Sequence, residues 1–225
     1  MRLYKISEST NLKITGDFPQ SQKMIKGYDY DAPNSSYILY ENRNKEINFT
    51  PNLDSFLLQK EANKTDVISA TPLGGMGFMV SDKLKDLLTK FNLIDHKYFK
   101  ASFVHGEKKY NDYQRLHFIS KLYKKVEFKS SDFIISGGKE IDFNNFSDLN
   151  LKSKELGVNG EIYAKRLCFK SNILKNLDLF FIGFFDFNTY ISENLKNEIE
   201  LNNITGLNIV EVVVEVSNGL IIIDV

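Results

Sequence analysis

Apolar residues recur along this chain at two spacings, and the switches between them mark its elements. Period-two alternation, the signature of half-buried strands, runs from Tyr110 to Phe118, from Leu122 to Phe128 and from Asp132 to Ser136. Further strands are predicted over Tyr37–Tyr40, Asp66–Ser69, Tyr98–Val104 and Glu161–Phe169. The unbroken run Leu179-Phe180-Phe181-Ile182 within Asp178–Phe185 reads as a strand buried on both faces. The chain closes on Ile209–Val216, a Ser217-Asn218-Gly219 turn and Leu220–Val225. Asn-Gly between β-branched runs predicts a hairpin, and one so apolar is expected inside or covered.

Helical spacing appears in fewer places. Leu84, Leu87, Leu88 and Phe91 follow Ser81-Asp82; Leu195, Ile199 and Leu201 follow Ser192-Glu193. In each case serine can accept from an orphan N–H of the first turn, and the acid beside it meets the positive end of the helix dipole. Thr205-Gly206 supplies a stop for the second helix. Pro51-Asn52-Leu53-Asp54 predicts a further helix with Leu53, Phe56, Leu57 and Leu58 on its apolar side. Leu149–Leu156 fits helix or strand. The expected fold is α+β, mixed and strand-rich, with two similar Ser-capped strand–helix–strand units and a C-terminal β-hairpin. The Thr71–Gly77 break suggests an internal boundary. A softer division sets an α/β region over residues 1–63 apart from a unit over 64–225, and one compact domain is equally compatible.

Composition narrows the function classes. The 29 basic and 29 acidic residues cancel, which argues against a general binder of nucleic-acid backbones. With Cys168 as the one cysteine, an internal disulfide is impossible, and a reducing compartment fits. The N-terminus has no signal-peptide pattern and no window is apolar enough to span a bilayer. The expectation is a cytoplasmic chain that binds neither membrane nor nucleic acid.

Candidate chemistry is sparse. His96, His105 and His117 lack metal-ligand spacing, so no metal or cofactor is expected. His117 and Arg115 share an alternating run and would serve catalysis only beside a suitable acid. Gly74-Gly75-Met76-Gly77 lacks the lysine of a phosphate loop, and Asp82 would repel a phosphate there, so it reads as a connector. Lys121, Lys124 and Lys125 surround Tyr123, with Glu127 close behind, and read as a solvated edge. Tyr28-Asp29-Tyr30-Asp31 is the candidate binding segment. If extended, it sets both rings on one side and both carboxylates on the other, a pairing suited to a basic protein surface.

The two capped units carry a resemblance. Val80-Ser81-Asp82-Lys83-Leu84-Lys85 returns as Ile191-Ser192-Glu193-Asn194-Leu195-Lys196, the second after Phe180-Phe181-Ile182-Gly183 and before Thr205-Gly206-Leu207. Together these resemble the immunity proteins of bacterial polymorphic toxin systems, the immunity protein eleven type, first defined as a domain of unknown function. The resemblance spans Lys64 to Glu211; the residues before Lys64 and the arm beyond Val216 lie outside it. It implies a non-enzymatic protein that binds a cognate protein toxin and neutralises it by occlusion, with no catalytic residue to carry over. The alternatives are a small-ligand or nucleotide-binding module with a pocket between the two units, or an enzyme with an unrecognised site.

Overall fold

Both predicted N-caps form. In a computed structural model, which describes residues 1–36, 45–71, 77–157 and 161–225, Ser81 Oγ accepts from Leu84 N at 3.1 Å and Ser192 Oγ from Leu195 N at 3.2 Å. Each serine ends a strand and starts a helix: β5 (Gly77–Ser81) into α2 (Asp82–Leu88), and β12 (Asp186–Ser192) into α5 (Glu193–Leu201).

Strands make up 41% of the chain against 20% helix, so sheets set the architecture. The first sheet has the order β11-β12-β1-β13, where β11 is Leu179–Gly183, β1 Leu3–Glu8 and β13 Leu207–Val212. The second runs β2-β3-β6-β7-β5-β4, with β2 Ser21–Met24, β3 Phe56–Leu58, β4 Val67–Ile68, β6 His96–His105 and β7 Lys108–Phe118. The third runs β14-β15-β10-β8-β9, built from Val214–Ser217, Leu220–Asp224, Ile162–Lys170, Asp132–Ile135 and Glu140–Ile141. The remaining helices among the described residues are α1 (Leu12–Thr15), α3 (Phe146–Leu156) and α4 (Ser171–Leu174).

The repeat seen in sequence is a repeat of topology. β5 and β6 flank β7 and are each antiparallel to it, so β5–α2–β6 is a split crossover around a central strand. β12 and β13 flank β1 in the same way, with α5 between them. The central strand comes from a hairpin in one unit and from the N-terminus in the other.

The two units also hold each other. Asp66 accepts from the Ser81 hydroxyl at 2.8 Å, and its second carboxylate oxygen accepts from Thr205 N at 3.0 Å in the turn after α5. Asp178 does the converse, accepting from the Ser192 hydroxyl at 2.7 Å and from Asn92 N, after α2, at 3.0 Å. Each aspartate therefore ties its own cap to the other unit's turn.

Side chains from the first and second sheets and from α2 and α5 form one core, with Ile6, Val80, Leu84, Leu88, Leu195 and Ile199 among them. The opposite face of the first sheet (Leu3, Phe180, Ile182, Tyr190) packs onto the third sheet through Leu167, Phe169, Ile221 and Ile223. Leu179–Ile182 is thus buried on both faces, as its unbroken apolar run predicts. The far side of the second sheet carries a third core that includes Met24, Leu53, Phe56, Met79, Phe103 and Tyr113.

Several expectations change. Pro51–Asp54 opens no helix: the backbone there is irregular and leads into β3, because Phe56 and Leu58 pair with β2 and Phe56 and Leu57 with β6. Leu122–Phe128 is not a strand; short 3-10 turns at Leu122–Lys124 and Phe128–Ser130 point Leu122 and Phe128 inward. Leu149–Leu156 resolves as helix, capped by Asn145 accepting from Asp148 N. α5 stops at Asn202 and Asn203, the latter with φ 50°, before Thr205-Gly206 is reached. The C-terminal hairpin forms with Asn218 and Gly219 both at positive φ. It is only half covered: β15 buries Ile221 and Ile223, whereas β14 is a sheet edge. β13 is the corresponding edge of the first sheet, so Leu207–Ser217 runs along two sheet edges with Val210, Val213 and Val216 exposed. The Tyr37–Tyr40 strand lies outside the described residues. Among those that are described, no helix is long and apolar enough to cross a membrane.

Candidate protein-binding surface

Tyr28–Asp31 lies in a turn-rich loop after β2 rather than in a strand. Its rings do share a side. They meet edge-on with centroids 4.9 Å apart and pack against the core around Met24 and Phe56. The Tyr28 hydroxyl donates to Asn52 O at 2.7 Å and accepts from Ser36 N at 2.7 Å; the Tyr30 hydroxyl accepts from Met24 N at 2.9 Å. Asp29 accepts from Asp31 N at 3.0 Å, closing an Asx turn, and both aspartates are exposed. This segment therefore shows a partner two carboxylates, with its rings occupied in holding the loop.

The carbonyl that Tyr28 engages belongs to the wall of an open cleft of about 590 Å³, lined by Asn34, Asn52, Asp54, Lys100, Ser102 and Asn111 among others. Asp54 accepts a short hydrogen bond from the Ser102 hydroxyl and pairs with Lys109 at 2.9 Å. These two contacts, the serine first, hold its carboxyl below the usual range. Ser102 Oγ also accepts from Ser55 N at 2.8 Å, so the group cross-links two segments.

The residues considered for catalysis are interior. Arg115 is 2% exposed and His117 0%. His117 Nε2 lies 2.9 Å from Lys45 O, and burial pulls its pKa down, keeping the ring neutral. Burial lowers Arg115 to about 10 and raises Glu8 to about 7, each opposed by the charge of the other. His96 and His105 contact separate backbone carbonyls, of Ile94 and Lys60. Among the described residues, no three His, Cys, Asp or Glu side chains gather where a metal could sit. Cys168 is a buried thiol with its pKa raised by that burial. Of the Gly74–Gly77 connector only Gly77 is described. A Cβ there would lie 1.9 Å from Leu116 O, so close strand packing accounts for this glycine.

Between the two repeated units, where a ligand-binding module would hold its ligand, the space is filled. A void of about 10 Å³ remains, and all its lining residues, Ile6, Val67, Phe78, Leu84 and Ile199 among them, are apolar. That is about the space one water occupies, with no polar group to hold it.

Sequence reading missed a surface cluster of aromatic rings. Tyr123, Phe146 and Phe184 come from three separate segments, with centroids 4.8 Å apart for Tyr123–Phe146 and 4.9 Å for Phe146–Phe184. The signal present in the chain was Tyr123 among lysines; its aromatic neighbours lie too far along the sequence to be joined by spacing. Neither a family model nor a curated protein sequence matches this chain, so its resemblance to a family stands on the two capped motifs alone.

Proposed function

We propose that this chain is an immunity protein of the polymorphic-toxin type, which binds a cognate protein toxin in the cytoplasm and neutralises it by occlusion, without catalysis. The observation that carries the reading is the apolar packing between the repeated units, which leaves little room there for a ligand. The inward placement of Arg115 and His117 supports it, because groups without access to substrate do chemistry poorly. The resemblance carried by the paired capped motifs supports a protein toxin as partner. Effective occlusion needs an interface of standard size or larger with a few buried anchors.

Co-expression with a toxin-like reading frame from beside its gene, scored by growth and by recovery of a complex, tests this. Rescue with a stable complex is expected. Growth arrest with no complex would overturn the reading. It would favour the small-ligand alternative, for which the open cleft at Asn52 and Asp54 is the place to look by thermal-shift screening.

A further inference from the structure

An interface needs aromatic anchors, and the Tyr28 and Tyr30 rings face inward. Another set of touching rings combines two that are half-buried against the core, Tyr123 and Phe146, with one that is exposed, Phe184. Tyr123, in the first 3-10 turn, and Phe146, the first residue of α3, meet Phe184 in the turn between β11 and β12. Phe184 has φ 64°, a left-handed conformation that asparagine or glycine adopts at less cost than phenylalanine. Its neighbour Phe185 is buried against Phe128 and Phe133, whereas Phe184 keeps 36% of its surface in solvent. The ring is held by Tyr123, Phe146 and Phe185, and its remaining face is open to solvent.

Four lysines lie near Tyr123 in the chain. Lys121, Lys124, Lys125 and Lys129 are exposed, and none of them takes part in an ion pair among the described residues. Lys124 Nζ lies 5.8 Å from the centre of the Tyr123 ring and 5.9 Å from that of Phe146. The nearby acid Glu127 is drawn to Lys170 at 3.6 Å, and Asp148 is occupied at the start of α3, accepting from Asn144 N. An open cleft of about 350 Å³ runs alongside, its lining including Lys124, Val126, Glu127, Lys129, Asn144 and Phe146. In a chain with no net charge this is a local basic surplus beside an apolar anchor site.

We propose that Tyr123, Phe146 and Phe184, together with Lys121, Lys124, Lys125 and Lys129, form the surface on which an acidic segment of the toxin docks. Its carboxylates meet the lysines, and an apolar side chain enters the cleft beside Phe146. This rests on the immunity reading and names the partner's chemistry. A protein segment fits better than single-stranded nucleic acid. Tyr123 and Phe184 lie within 28° of parallel and cover each other's faces, whereas stacked bases need open ones.

The test measures affinity for the co-expressed toxin, at low and moderate salt, for the wild type and three variants. Lys124→Glu/Lys129→Glu reverses the charge. Phe184→Asn removes the ring while suiting the left-handed turn, so the fold survives. Lys60→Glu, on another exposed segment, controls for charge. Weakening of at least about tenfold by each of the first two, none by the third, and a wild-type affinity that falls with salt are expected. Wild-type binding left within twofold by both patch variants overturns the docking surface and leaves the immunity reading intact. A wild type that neither binds nor protects overturns both. Tighter binding of an oligothymidylate strand, lost in the lysine variant, would make nucleic acid the occupant and overturn the acidic segment.

Discussion

At the scale of single residues, serine caps and the aspartates beneath them carry different weights. Ser81→Ala removes one cap acceptor and should cost about 1 kcal/mol. Asp66→Ala also orphans the Ser81 hydroxyl and the Thr205 N–H and frees Lys83, 3.6 Å away, so about 2 kcal/mol is expected. Denaturant midpoints for the two variants check the order. Glu8 makes a second prediction. Its folded pKa, about 7, lies above its ordinary value of 4.5, so between those pH values the unfolded chain releases a proton that the folded chain keeps. Stability should therefore fall as pH rises from about 4.5 to 7, by at most about 3 kcal/mol, and the loss should persist above that range. Chemical denaturation at pH 5 and pH 8 measures it, and Glu8→Gln should flatten the difference. The caps were legible from sequence because capping is local. The aspartates were not: Asp66 meets Thr205, and Asp178 meets Asn92, through the topology alone.

At the scale of elements, two glycines look alike in sequence and differ in consequence. Gly219, with φ 76°, sits in the hairpin turn with open space around it; alanine there should cost about 1 kcal/mol of left-handed strain. At Gly206, with φ 87°, a Cβ would also lie 2.1 Å from Val67 O, where the turn after α5 presses on β4. Gly206→Ala should be the more damaging by at least about 2 kcal/mol, seen as a lower thermal midpoint beside Gly219→Ala. Strands with clear alternation, such as β7 and β8, could be read directly, and so could the continuously apolar β11. Leu122–Phe128 misled because the inward residues of two separate 3-10 turns and of Val126 between them fall an even number of positions apart, and Pro51–Leu58 because its leucines and phenylalanine serve an extended segment wedged between β2 and β6.

At the scale of the molecule, the N-terminus is structural. β1 lies between β12 and β13 and contributes Leu3 to one core and Tyr4 and Ile6 to another. Deleting residues 1–8 should leave two strands without their shared neighbour and abolish cooperative melting, followed by near-UV circular dichroism. Growth rescue by the toxin co-expression test should vanish with it. The strand-rich α+β class and the duplication were visible in the chain; the insertion of β1 was not, because antiparallel neighbours in a sheet need not be neighbours in sequence. The aromatic surface was hidden for the same reason.

The long edge from Leu207 to Ser217 has a bearing on crowding. Exposed valines on an edge strand invite a second molecule to add its own edge. In the antiparallel register that matches the three valines, Val213 facing itself and Val210 facing Val216, Glu211 falls directly opposite Glu215 at both ends. Like charges in that position repel, so the self-pairing that matches the three valines is also the one that sets glutamate against glutamate.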